Sequence, residues 1–264
     1  MLLSKSYRSQ FKVLFLREWH VYKKRVFGLL LNFVVLQSFT FAFVQGYIKP
    51  LMYFGLPIDR RGLMVFAGSL IFLFIRRSFD FATAYFNDIH VQKHIWYQRT
   101  AAPYSAVYGS RVLFSTLFVA ALIAAFLPMP KIILGSSFDV SHIRWGIAPF
   151  VTILTAAMFT TYAYFCFSFV TSRESIARVR VRLNEVLMWM GAFNATWFAM
   201  YTSHRVFGYV SLLSPFTYAT ESFRHVLYTG SDLIPLSVTM SAMCCWSLAF
   251  YLAGLWLFKK KVVR

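Results

Sequence analysis

The side chains best suited to chemistry in this chain are charged groups inside an otherwise apolar segment. Arg76 and Arg77 are followed by Asp80, and Arg76 and Asp80 have the four-residue spacing that lets two side chains pair on one helix face. A charge at the bilayer centre costs roughly 2.5–3.5 kcal/mol on insertion scales. The cluster therefore has two interpretations. It lines a polar pathway and contacts an anionic substrate group, or it is structural, pairing with another helix or reaching the lipid headgroups.

A second set, Asp88, His90 and His94, has the spacing of a metal site. Two His residues four positions apart on a helix can bind one metal ion. Membrane di-iron enzymes need several such pairs, and the chain has only six His residues. We therefore expect no bound metal and interpret these residues as part of a cytoplasmic helix that contacts a partner.

Several catalytic motifs are absent from the sequence. No Gly is followed by Lys, so the chain has no phosphate-binding loop of the G-x-x-x-x-G-K type. It also lacks G-x-S-x-G and H-E-x-x-H. We expect no catalytic residue and no cofactor bound by this chain.

The elements that must position these groups are apolar runs of about 20 residues, each long enough to cross a hydrocarbon core of ~30 Å as a helix. The composition agrees, at 59% hydrophobic and 14% charged residues, with a mean hydropathy of +0.59. The pattern predicts an all-α polytopic membrane protein with six transmembrane helices. The runs cover Val26–Ile48, Leu63–Phe86, Gly109–Leu127, Trp145–Val170, Glu185–Ser203 and Leu236–Phe258.

The positive charge is distributed as in a membrane protein. The formal net charge is +18, which in a soluble protein would suggest nucleic-acid binding. With six spans and both termini in the cytoplasm, however, most Lys and Arg residues fall on the cytoplasmic side. We therefore expect a multi-pass protein of the inner (plasma) membrane that contacts anionic lipid and binds no nucleic acid. Residues 259–264 form a basic cytoplasmic tail in this topology.

Two segments outside the regular spans are predicted to form helices that do not cross the membrane. Within the cytoplasmic N-terminus, 1–25, residues 9–25 predict an amphipathic helix lying in the membrane plane, with Phe11, Leu14, Phe15, Trp19 and Tyr22 on one face. Residues 206–230 are apolar but interrupted at Ser214-Pro215, which predicts two short helices entering the outer leaflet. Glu221 and Arg224 of that segment should face the rest of the protein.

Three segments in this order resemble the transmembrane permease subunit of a type-2 ABC exporter. The first is the amphipathic N-terminal helix. The second is Asp88–Arg111, where Ala101-Ala102-Pro103-Tyr104-Ser105 precedes Gly109 as in the loop that follows the family's coupling helix. The third is Leu213-Ser214-Pro215-Phe216-Thr217-Tyr218-Ala219 with Glu221 and Arg224, which resembles "NPLTYAVEALR" before the last span, with Ser214 in place of Asn. The coupling segment is less acidic than is usual in the family.

The resemblance implies a division of labour. A second copy or a paralogue would complete the pathway within the transmembrane domain, 26–258, and a separate ATPase subunit would bind ATP and Mg and contact a coupling helix at about 88–103. The implied substrates include lipid-linked glycans, lipids and other amphiphiles. The residues implied in coupling are Asp88, His90, Lys93, His94, Trp96, Arg99 and Pro103; those suited to the pathway are Asn32, Gln37, Arg76, Arg77 and Asp80; and those of the outer re-entrant motif are Ser214, Pro215, Tyr218, Glu221 and Arg224.

Three other functions remain open from the sequence. A membrane-embedded lipid-modifying enzyme would need a polar cluster at one membrane face, and the candidates are Asp88/His90/His94 and Glu221/Arg224/His225. A membrane assembly factor would need no transport chemistry. A secondary transporter usually has matched inverted halves, and the sequence shows no such repeat.

Overall fold

The structure is a computed structural model that describes residues 5–23, 26–43, 58–91, 102–135, 140–141, 143–170, 173–179, 184–191, 196–227 and 234–263. The regular structure of these residues is helical, with no strand among them, which confirms the predicted all-α class. The helices are α1 (Lys5–Lys23), α2 (Val26–Phe43), α3 (Ile58–Val91), α4 (Tyr104–Phe126), α5 (Met129–Leu134), α6 (Ala148–Phe169), α7 (Arg173–Arg178), α8 (Asn184–Met190), α9 (Trp197–Ser203), α10 (Arg205–Ser211), α11 (Pro215–Leu227) and α12 (Leu236–Val263).

The core forms around α6, which packs against α3, α4 and α12. Aromatic rings fill the space between these helices. Near the middle of α6, Phe159 contacts Phe74 of α3 and Phe216 of α11. Toward its C-terminal end, Tyr164 contacts Tyr85 of α3 and Tyr108 of α4. Large buried rings in tilted contact hold the helices at fixed separations, which gives polar side chains on α3 and α4 defined positions.

Among the residues that the structure describes, three helical segments are long and apolar enough to cross a membrane: Tyr104–Ile132, Ala148–Phe169 and Leu236–Lys260. They coincide with the third, fourth and sixth predicted spans. Helix α2, within the first predicted span, is apolar but shorter in its described part. Helix α3 has 34 residues, about 51 Å at 1.5 Å per residue, but it carries Arg76, Arg77 and Asp80 in its apolar stretch.

Three predicted helix boundaries differ from the structure. The fifth span, predicted as one helix over Glu185–Ser203, is interrupted, because α8 ends at Met190 and α9 begins after Thr196, whose extended backbone and side-chain hydrogen bond to the Ala199 N–H start a new helix. Asp88 does not open a coupling helix, since α3 continues to Val91. Residues 259–263, predicted as a tail, continue helix α12.

Residues Lys5–Lys23 form helix α1, which lies against α4. Phe15 and Tyr22 of α1 both contact the ring of Phe114 at centroid distances of 5.8 and 5.4 Å. Trp19, in contrast, is 47% exposed. The aromatic residues predicted to share one face therefore divide between a packed face and an exposed face.

Candidate functional site

The charged cluster of α3 lies at a cleft between four helices. Arg77 Nη1 is 3.2 Å from Asp80 Oδ2, and the Arg77 guanidinium lies 4.7 Å from the ring centroid of Phe33 on α2. The ion pair is partly accessible, with 20% of the Arg77 and 36% of the Asp80 side chain exposed. The cleft has a volume of about 140 Å³ and is lined by Tyr22, Phe33, Arg77, Asp80, Phe81, Phe118 and Leu122.

Helical periodicity explains why the two neighbouring arginines differ. Ser78 and Phe79 are fully buried against the core, which turns Arg77 and Asp80 toward α1 and α2 and leaves Arg76 exposed. The sequence suggested a pair between Arg76 and Asp80. The ion pair that the structure shows from Asp80 goes to Arg77 instead, at three-residue spacing.

The two polar residues predicted for the pathway on α2 are not brought into this cleft. Gln37 is buried, and its Nε2 atom has no hydrogen-bond partner among the described residues. Asn32 is exposed on α2. Of the five predicted pathway residues, the structure joins Arg77 and Asp80.

The motif predicted as the outer re-entrant one contains a second, fully buried ion pair. Arg224 Nη1 is 2.7 Å from Glu221 Oε1, and both side chains have 0% exposure, which confirms that they face the rest of the protein. The same carboxylate oxygen accepts a hydrogen bond of 3.0 Å from the backbone N–H of Trp197, the first residue of α9. A carboxylate at this helix N-terminus is stabilised by the unpaired amides there. Glu221 thus connects α9 to α11.

The other residues of this motif stabilise the turn before α11. Ser214 Oγ donates to the Leu187 carbonyl at 3.0 Å and accepts from the Phe216 N–H at 3.3 Å. Pro215 begins α11, where a proline costs no hydrogen bond. The Tyr218 hydroxyl donates to the Leu212 carbonyl at 2.8 Å. The predicted interruption between two helices is confirmed, and its side chains satisfy local backbone groups.

Most of the predicted coupling segment lies outside the described residues, including Lys93, His94, Trp96 and Arg99. Asp88 and His90 lie in the last turn of α3. Pro103 immediately precedes α4 and is exposed. No cluster of three potential metal ligands occurs among the residues that the structure describes.

Sequence reasoning missed a polar contact between α1 and α4. Glu18 Oε1 is 3.5 Å from Arg111 Nε, and the side chains are only 16% and 9% exposed. The Arg111 guanidinium also lies 5.6 Å from the ring centroid of Tyr85 on α3. One signal in the sequence could have revealed the pair. Glu18 is the only acidic residue before Asp59, and Arg111 lies at the start of an apolar run.

Comparison with known proteins identifies no relative: no family model, no curated protein and no solved structure matches this chain.

Proposed function

We propose that this chain is the membrane-spanning subunit of an ATP-driven exporter of the type-2 ABC class. In this proposal six segments span the inner membrane with both termini in the cytoplasm, and α8 and α9 together form the fifth. A second copy or a paralogue completes the translocation pathway. A separate ATPase subunit binds ATP and Mg and acts on the segment between α3 and α4. The substrate is a lipid, a lipid-linked glycan or another amphiphile.

The observation that carries this proposal is the exposure of polar side chains on apolar helices. Arg76 is exposed on α3, within the second predicted span, and Asn32 is exposed on α2. Lipid around an exposed arginine at membrane depth is unfavourable by several kcal/mol. Such groups are accommodated by a water-filled pathway, by a neighbouring subunit or, for an arginine near the membrane surface, by the lipid headgroups. The first two are the arrangement expected of a half-transporter.

The contacts of α1 support coupling to a partner on the cytoplasmic side. The Glu18–Arg111 pair and the ring contacts of Phe15 and Tyr22 attach α1 to α4. Helix α4 follows directly on the segment proposed to contact the ATPase, so a force on that segment would move α4 and α1 together as a rigid unit.

Recovery of the tagged chain from native membranes in mild detergent tests this proposal. The expected result is co-purification of an ATP-binding protein at about one per copy, with ATPase activity that is absent from eluates of an unrelated tagged six-span protein. The matched variant is Arg76→Gln, which should retain the ATPase subunit because Arg76 lies far from the proposed coupling segment along α3. Purification of the chain alone, or with unrelated partners only, would overturn the exporter proposal.

A further inference from the structure

We propose that the cleft between α1, α2, α3 and α4 binds the zwitterionic headgroup of a phospholipid, one that carries a phosphate and an ammonium group. The inference names the ligand class for the Arg77/Asp80 site. It rests on the membrane placement in the proposed function but not on the ATPase partner.

The charges in the cleft are complementary to such a headgroup. A phosphate would lie beside Arg77 and an ammonium beside Asp80, so that each ligand charge is next to a protein charge of opposite sign. The charged atoms of the protein pair are themselves 3.2 Å apart. The protein pair therefore does not have to separate when the ligand binds. A purely anionic headgroup would be repelled by Asp80, and a purely cationic one by Arg77, because like charges at close range are unfavourable.

Aromatic rings line the same cleft as Arg77 and Asp80. Tyr22, Phe81 and Phe118 form a mutually contacting group, with centroid distances of 5.3–5.9 Å. Ring faces attract quaternary and primary ammonium groups, and aromatic clusters beside a carboxylate are a recurring form of such sites. Phe33, which also lines the cleft, lies against the Arg77 guanidinium.

The size and position of the cleft fit a headgroup. Its volume of about 140 Å³ is close to the ~150 Å³ cavity that accommodates benzene in another protein, which is enough for a small polar headgroup but not for acyl chains. Tyr22 lies in the last turn of α1, and α2 begins four residues later at Val26. The cleft therefore lies beside the α1–α2 junction, which the proposed topology places at the cytoplasmic membrane surface, where tyrosines concentrate.

Native mass spectrometry of the full chain, released from detergent with defined lipids, tests this inference. The lipids are dioleoyl phosphatidylethanolamine and dioleoyl phosphatidylglycerol, which differ in headgroup charge but not in acyl chains. We expect a saturable one-to-one adduct with a preference of about tenfold for phosphatidylethanolamine, as for the loss of one charge-assisted contact. Asp80→Asn should reverse the preference, because the site then keeps only Arg77. Glu185→Gln removes an exposed carboxylate on α8 and should leave the preference unchanged.

Three outcomes would overturn the inference. These are equal adducts of both lipids on the native chain, an unchanged preference in Asp80→Asn, and an adduct of soluble glycerophosphoethanolamine without any lipid adduct. Arg77→Lys keeps the positive charge and should retain most of the native preference. It is the control which shows that a substitution in the cleft does not by itself misfold the protein. If an ATPase subunit is recovered from membranes but the lipid test fails, only this inference is rejected. If the lipid test succeeds but no ATPase subunit is recovered, only the exporter proposal is rejected.

Discussion

Replacing Glu221 with Gln tests how strongly the buried ion pair stabilises the packing of α9 and α11. Glutamine keeps a side-chain oxygen that can accept the Trp197 N–H bond, so the main loss is the charge opposite Arg224, which has no exposed surface. Breaking a buried pair on one side costs about 3–5 kcal/mol. For a domain of this size that corresponds to a fall of about 6–20 °C in the melting temperature.

The assay is the fraction of monodisperse protein that remains after heating in detergent, measured by size-exclusion chromatography. Glu185→Gln is the matched control, because it makes the same chemical change at an exposed position and should shift the melting temperature little. The double variant Glu221→Gln/Arg224→Met should lose less stability than the two single losses combined, because no single charge stays buried. If Glu221→Gln melts within about 2 °C of the Glu185→Gln control, less than 1 kcal/mol on the same scale, the pair contributes little and the reasoning is refuted.

Two further predictions concern helix packing. Gly254→Ala should destabilise the protein by about 1–3 kcal/mol, because the added Cβ would overlap the hydroxyl of the fully buried Tyr108. Gly28→Ala is the control, since no atom lies within 4 Å of the added Cβ and the change should be neutral or slightly stabilising; equal melting temperatures of the two variants would contradict the prediction. Glu18→Gln should release α1 from α4 and accelerate tryptic cleavage within the basic N-terminal helix, and the exchange Glu18→Arg/Arg111→Glu should restore protection. Cleavage of Glu18→Gln at the native rate would exclude an anchoring role for the pair.

The apolar runs predicted the long helices well because hydrophobic length is a local property of the sequence. Helices α4, α6 and α12 coincide with predicted spans to within a few residues at most ends. The break at Thr196 was not predictable in this way. Gly191 and Asn194 only briefly interrupt the apolar run, and the new helix start depends on a hydrogen bond from Ala199 and on the distant carboxylate of Glu221.

The candidate site was predicted in its residue types but not in its pairing. Charges within an otherwise apolar run identify Arg76, Arg77 and Asp80 at once, since such charges are costly in lipid. Which arginine pairs with Asp80 depends on how the core turns α3, and that is set by residues on other helices. The Glu18–Arg111 contact joins positions 93 residues apart in the sequence. The isolated Glu18 and the place of Arg111 at the start of an apolar run mark each residue as a candidate for pairing, but their meeting depends on how α1 packs on α4.

The two ion pairs at three-residue spacing illustrate why exposure, rather than spacing, separates a structural pair from a ligand site. Arg77–Asp80 and Glu221–Arg224 look alike in the sequence, yet the first opens into a cleft and the second has no exposed surface. A fully enclosed pair cannot exchange its partner for a ligand without local unfolding, whereas a partly exposed pair can contact a ligand with both charges in place. The substitutions at Glu221 and Asp80 should therefore have separable effects: the first lowers the melting temperature and leaves lipid preference intact, and the second changes lipid preference at a smaller cost in stability.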